Sequence, residues 1–137
     1  MKRRKFLIAL GVVPPLVLSA CSKDEFPKTP TIMSGFVIDE KEKPIKDFGI
    51  QFLGSTGGFN SKVIFDQNAL TDEKGYYYIE QIVPEGTVSF TFKATANFDY
   101  NPVLYDYLCL VGGSYYKNYC PWNIGEKNDI NFKIVKR

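Results

Sequence analysis

The sequence predicts an all-β protein, a single antiparallel β-sandwich of about seven strands behind a cleaved amino-terminal signal and a short tether. Three observations carry that expectation. Apolar residues recur with a period of two rather than 3.6, turn residues punctuate the chain at short spacing, and no segment offers an amphipathic helix. The expected organisation is a signal over 1–20, a tether over 21–31 and the sandwich over 32–137. The last segment, about 106 residues, is enough for one modest core and not for two domains.

The elements follow in order. Ile32 to Ile38 is rich in β-branched and aromatic residues and ends in the charged turn Asp39-Glu40-Lys41-Glu42-Lys43-Pro44. Phe48-Gly49-Ile50-Gln51-Phe52 alternates into a second strand, closed by the turn residues Gly54 to Gly58. Lys62 to Phe65 and Gly75 to Ile82 are the third and fourth, separated by Thr71-Asp72-Glu73-Lys74-Gly75. After Pro84-Glu85-Gly86, the run Thr87 to Ala94 is apolar at every even position and polar at every odd one, the mark of one buried and one wet face. Val103 to Val111 and Asp129 to Val135 complete the set. Phe90, Phe92, Phe132 and Ile50 are expected in the core, with Thr91 and Lys133 facing solvent.

The turns have a mechanical reading. Asp72 can accept hydrogen bonds from turn amides, while Gly75 takes a positive φ that a β-carbon would resist; Gly86 does the same after Pro84. Calcium held by Asp72 and Glu73 is the sharper alternative, but two carboxylates fall short of the six to eight oxygens such a site needs. No metal ligand set and no cofactor motif is expected anywhere in the chain.

These motifs resemble a family. Ser34-Gly35-Phe36-Val37-Ile38-Asp39, a charged turn and Lys43-Pro44-Ile45, then Thr71-Asp72-Glu73-Lys74-Gly75-Tyr76-Tyr77 and Val83-Pro84-Glu85-Gly86, resemble the carboxypeptidase regulatory-like domains in sequence and in order. The resemblance covers about residues 32 to 95. It implies a transthyretin-like, or prealbumin-like, sandwich and implies no peptidase activity, since in that family the domain accompanies a separate zinc enzyme. Asn97 to Lys127 departs from the family pattern.

The amino terminus sets an expected address. Lys2, Arg3, Arg4 and Lys5 precede the apolar run Phe6 to Leu18, and Leu18-Ser19-Ala20-Cys21 reads as a bacterial lipobox with lipidation at Cys21. An uncleaved transmembrane helix is the alternative. Phe6 to Ala20 is 15 residues, short of the roughly 20 a bilayer requires, and Pro14-Pro15 interrupts it. Two or three acyl chains on Cys21, palmitate among them, would keep the protein on its membrane. Arg3-Arg4-Lys5-Phe6-Leu7 resembles the twin-arginine export motif, with ordinary export equally open. Ser22-Lys23-Asp24-Glu25 resembles the signal that sends some Gram-negative lipoproteins to the outer face of the outer membrane; the periplasmic face is the other option. From Ser22 to Thr31, Pro27 and Pro30 in a polar stretch fit a semi-extended tether.

Charge and composition narrow the function classes. The chain has 17 basic and 15 acidic residues, but four of the basic ones lie in the signal, so the mature chain carries 13 minus 15, or −2. No nucleic-acid partner is expected, because phosphate binding needs a basic surface. With no histidine at all, Ser-His-Asp and Cys-His hydrolysis are excluded and the commonest zinc and copper ligand is missing. Paired carboxylates acting on a glycan remain as an enzyme alternative. An intramolecular Lys–Asn isopeptide is not expected, since Ile32 to Ile38 holds no lysine.

Phe98, Tyr100, Tyr105, Tyr107, Tyr115, Tyr116, Tyr119 and Trp122 crowd one stretch that also holds Gly112-Gly113. One reading makes these rings the cover of the sandwich end. The other makes Tyr115, Tyr116, Tyr119 and Trp122 a ligand-binding loop, because such rings present large rigid area with a polar tip. Once Cys21 is acylated, Cys109 and Cys120 are the remaining thiols in an oxidising compartment, and they are expected to form a disulfide. The functional expectation is a membrane-anchored, non-catalytic envelope module for binding, adhesion or assembly, with a glycan or an envelope protein as partner. A small glycan-acting enzyme and a structural accessory subunit are the alternatives.

Overall fold

Alternating apolar residues must be covered from one side, and two sheets packed face to face are how this chain does it. The computed structural model describes residues 26–97 and 99–137. The export signal, Cys21, the Ser22–Glu25 motif and Phe98 lie outside the described residues. Nine strands are found among those described: β1 (Thr31–Ile38), β2 (Gly49–Ser55), β3 (Val63–Leu70), β4 (Tyr76–Gln81), β5 (Ser89–Ala96), β6 (Tyr105–Val111), β7 (Ser114–Lys117), β8 (Lys127–Asp129) and β9 (Asn131–Lys136). The larger sheet runs β4-β1-β9-β6-β7, with β8 also on β1, and the smaller runs β3-β2-β5.

The fold is an all-β sandwich. Phe52, Phe92, Ile50 and Phe65 of the small sheet are buried against Met33, Val37, Tyr77, Ile79, Phe132 and Ile134 of the large one. Across the interface the Phe92 ring lies 5.8 Å from Phe132 and 6.5 Å from Tyr77. Packing of this kind fixes register, since a one-residue slip would turn each of these rings to solvent. Gly54 leaves room for the Phe65 ring, into which a β-carbon would run.

Three expectations are corrected. Phe90 is half-buried rather than fully buried, and Lys133 and Thr91 are half-covered on the other faces. Val88 is 71% exposed, because the Pro84–Gly86 turn delays the strand to Ser89, while the neighbouring Thr87 is buried with its Oγ1 donating to the Pro84 carbonyl. The sandwich is also not wholly antiparallel, since β8 and β9 both run parallel to β1. Parallel neighbours cannot be joined by a hairpin. The chain therefore crosses over after β7, through residues 118–126, before it re-enters the sheet at β8.

The crossover and the closing strand are held by buried polar groups. Asn128 donates through Nδ2 to the carbonyls of Ile32, Asn123 and Glu126 and accepts the Asn123 amide at 2.8 Å. Between β8 and β9, the Ile130 amide donates to Ser34 and its carbonyl accepts the buried Tyr77 hydroxyl at 2.7 Å. A β-carbon on Gly35 would overlap that Ile130 carbonyl, so this crossing requires glycine. Ahead of β1, Phe26 packs on the core and the Thr29 hydroxyl donates to the Gly125 carbonyl, so the last part of the tether segment is fastened to the sandwich.

The turns are built on side-chain acceptors. Asp72 Oδ1 accepts the amides of Lys74 and Tyr76, both at 2.9 Å, and Gly75 has φ +78° with the Val37 carbonyl where a β-carbon would crowd it. Asp39 does the same for Lys41 and Lys43, and those amides, first that of Lys43, hold its carboxyl below the usual range. Gly86 has φ +93°.

Candidate functional site

β7 ends at Lys117, opposite Leu108, so the first half of β6 is paired with β9 on one side and has no strand on the other. In the other sheet β5 is an edge as well. Between these two unclosed edges the sandwich opens into a cleft of about 320 Å³. Phe48, Ala94, Tyr100, Tyr105, Tyr107 and Ile134 form its apolar wall, and Lys93, Asp106, Asn118 and Arg137 its polar rim. An apolar wall with a few converging polar groups is the usual composition of a ligand site, and this volume sits at the small end of the roughly 300–1,000 Å³ range.

The rings are fixed by one another. Tyr100 and Tyr105 meet edge to face at 5.0 Å, Tyr100 lies 6.0 Å from Phe48, and Tyr107 stands edge-on to Phe132 at 5.5 Å. Burial raises the Tyr107 hydroxyl pKa; burial and then the charge of Asp39 raise that of Tyr100. Both hydroxyls are therefore neutral donors and acceptors at physiological pH.

Asp106 anchors the rim. Its Oδ1 accepts Asn118 Nδ2 at 3.1 Å and Arg137 Nε at 2.9 Å, and Lys117 Nζ lies 3.6 Å from Oδ2. The Asn118 hydrogen bond, then the Arg137 charge, hold this buried carboxyl below its usual range against the opposing effect of burial. Asn118 adopts φ 54°, which lets its Oδ1 accept the Tyr107 amide while its own amide donates to the Tyr107 carbonyl. One asparagine thus closes the strand edge and orients the carboxylate.

The residues expected to bind ligand are dispersed. Cys109 and Cys120 form a disulfide, with α-carbons 5.5 Å apart, a spacing that suits the bond. Gly112 and Gly113, with φ 57° and 86°, make a two-residue turn that pairs β6 with β7. On this hairpin Tyr115 is exposed, while Tyr116 is half-buried and packs edge to face on the exposed Tyr119 at 6.0 Å. Trp122 belongs elsewhere: its indole lies edge-on to both Phe52 and Phe90 at 5.2 Å, in the crossover segment that covers the small sheet.

Two groups of residues went unrecognised in the sequence. The cleft draws Lys93, Asp106, Asn118 and Arg137 from separate segments, so no motif joins them. On the outer face of the large sheet, Tyr76 pairs with Phe36, Asn131 with Leu110, and Leu110 with Tyr115; the Phe36 amide donating to Asn131 Oδ1 at 2.8 Å joins the two halves into one row across five strands. Phe36, Tyr76 and Tyr115 in that row are exposed. The period-two pattern in β1 and β4 carried that signal. Among the described residues, no three His, Cys, Asp or Glu side chains converge as a metal site.

No family model matches the chain, and no curated protein matches it. Among solved structures it is similar to the dioxygenase domain of a dioxygenase carbohydrate-binding protein fusion from the cellulolytic bacterium Streptomyces sp. SirexAA-E, at 19% identity over 81% of each chain with a TM-score of 0.42. A likeness of that degree carries no functional argument.

Proposed function

We propose that the protein is a membrane-anchored, non-catalytic binding module of the bacterial cell envelope, held by lipid at Cys21 and displayed on the outer membrane, with the β5–β6 cleft as its ligand site. The cleft carries the reading: rings fixed by packing and a polar rim fixed by Asp106 form a preorganised surface, which lowers the ordering cost of binding. Tyrosine walls with amide and charged groups at the rim suit a glycan, whose rings have apolar faces and hydroxyl edges. Catalysis is disfavoured by the same geometry. Among the described residues Asp106 is the one acidic residue lining the cleft, and its three partners hold it ionised and occupied, whereas glycoside hydrolysis needs two carboxyl groups in different protonation states.

The test is a glycan array read together with reducing-end release. Capture without release is expected. Release of reducing ends would favour the small-enzyme alternative, and a blank array with a stoichiometric envelope partner in the purified complex would favour an accessory subunit. For the anchor, Cys21→Ser should convert a detergent-phase protein into a soluble or unprocessed one. Surface proteolysis of intact cells tests display, and full protection would place the protein on the periplasmic face.

A further inference from the structure

Lys93 and Arg137 are the cationic side chains lining the cleft and Asp106 is the anionic one, while the charges of Asp39, Asp99 and Glu40 reach Tyr100 at its wall. Arg137 meets Asp106 through Nε alone, leaving the terminal guanidinium nitrogens without a bond among the described residues. Lys93 is exposed and makes no ion pair among the described residues, although 15 carboxylates were available in the chain to supply one. The planar end of an arginine matches a carboxylate bidentately, and a nearby lysine adds a point charge. The volume of about 320 Å³ limits the occupant to about one ring.

We infer that the cleft takes a carboxylate-bearing sugar residue, of the uronic-acid class, with its ring against Tyr100 and Tyr105 and its carboxylate between Lys93 and Arg137. This rests on the binding-module reading and specifies its ligand. Binding should weaken with salt, because the pairing is at a solvent-accessible rim.

The experiment titrates the full chain carrying Cys21→Ser with methyl glucuronide, its neutral methyl ester and methyl glucoside, by calorimetry and by amide shifts. The glucuronide is expected to bind about tenfold tighter than the ester or the glucoside, the effect of one charge-assisted contact, and to lose most of that margin in high salt. Lys93→Gln, at an exposed position, should remove the margin between glucuronide and ester. Equal affinity for all three ligands at cleft amides, or a margin that survives Lys93→Gln, overturns the acidic specificity and leaves the binding module standing. Absence of any shift at Tyr105, Tyr107 and Asn118 with all three overturns the cleft as the site, and the specificity with it.

Discussion

Thr71→Val should be among the most damaging single changes that leave side-chain volume nearly constant. Thr71 is 2% exposed, and its Oγ1 accepts the Phe48 amide at 2.8 Å while donating to the Ile45 carbonyl at 2.6 Å. Ile45 and Phe48 are themselves buried, so water cannot replace the hydroxyl. Valine strands one donor and one acceptor, at about 1–3 kcal/mol each, for a total of about 2–6 kcal/mol. A domain of this size has only about 5–15 kcal/mol to lose. The urea midpoint should fall with the slope unchanged, and the melting temperature should drop by about 8 °C or more. Thr71→Ser keeps both bonds and loses one methyl, at about 0.5–1.5 kcal/mol. Because the Phe48 ring lines the cleft, the valine variant should also weaken ligand capture at temperatures where it remains folded. If valine costs no more than about 0.5 kcal/mol, or serine costs as much as valine, the buried bridge does not stabilise the fold as argued.

Reduction of Cys109–Cys120, which closes a span with a sequence separation of 11, should destabilise by about 3 kcal/mol; protein from the envelope that shows both thiols free to alkylation before reduction would contradict the bridge. Trp122→Ala should cost on the order of 3 kcal/mol through its lost contacts with Phe52 and Phe90, whereas Tyr115→Ala should stay within about 0.5 kcal/mol; equal melting temperatures for the two would reverse their assignments. Asp106 has a lowered pKa in the folded chain, so the unfolded chain binds its proton first as pH falls. Its contribution is complete above the ordinary carboxylate value of about 3.9 and is lost as pH drops through the folded value below it, so Asp106→Asn should flatten that acid limb of the stability curve; an unchanged limb would count against it.

Fold class was legible because alternation is a local property. Phe92 and Phe132 face the core between the polar neighbours Thr91 and Lys93, and Asn131 and Lys133, and one strand suffices to read that. β3 was only half visible: Asp66, Gln67 and Asn68 are exposed on an edge strand, where polar residues discourage pairing with another chain and erase the apolar signal. The β6–β7 hairpin was signalled by Gly112-Gly113, a pair suited to two successive positive φ values, but the tyrosines around it read as a loop. Parallel pairing of β1 with β8 and β9 has no local signature. It depends on which strands become neighbours, and on the close approach that Gly35 permits.

The aromatic stretch shows why a site is harder to read than a strand. Composition presents Tyr100 to Trp122 as one feature, yet the crossover forced by parallel closure assigns its members to different tasks. Trp122 travels with the crossing segment and covers the small sheet, Cys120 pins that segment to β6, and Tyr115 faces outward on an edge hairpin. Tyr100, Tyr105 and Tyr107 precede the hairpin and line the gap that β7, ending at Lys117, leaves beside β6. The cleft is thus a consequence of strand length. Were β7 to continue three residues further in register, its backbone would pair with Tyr105 to Tyr107, and Asn118 would no longer be free to turn back onto Asp106. A site that exists because a strand stops cannot be found by looking for the residues that line it; it can be found by asking which edge is left unpaired and what the chain has placed beside it.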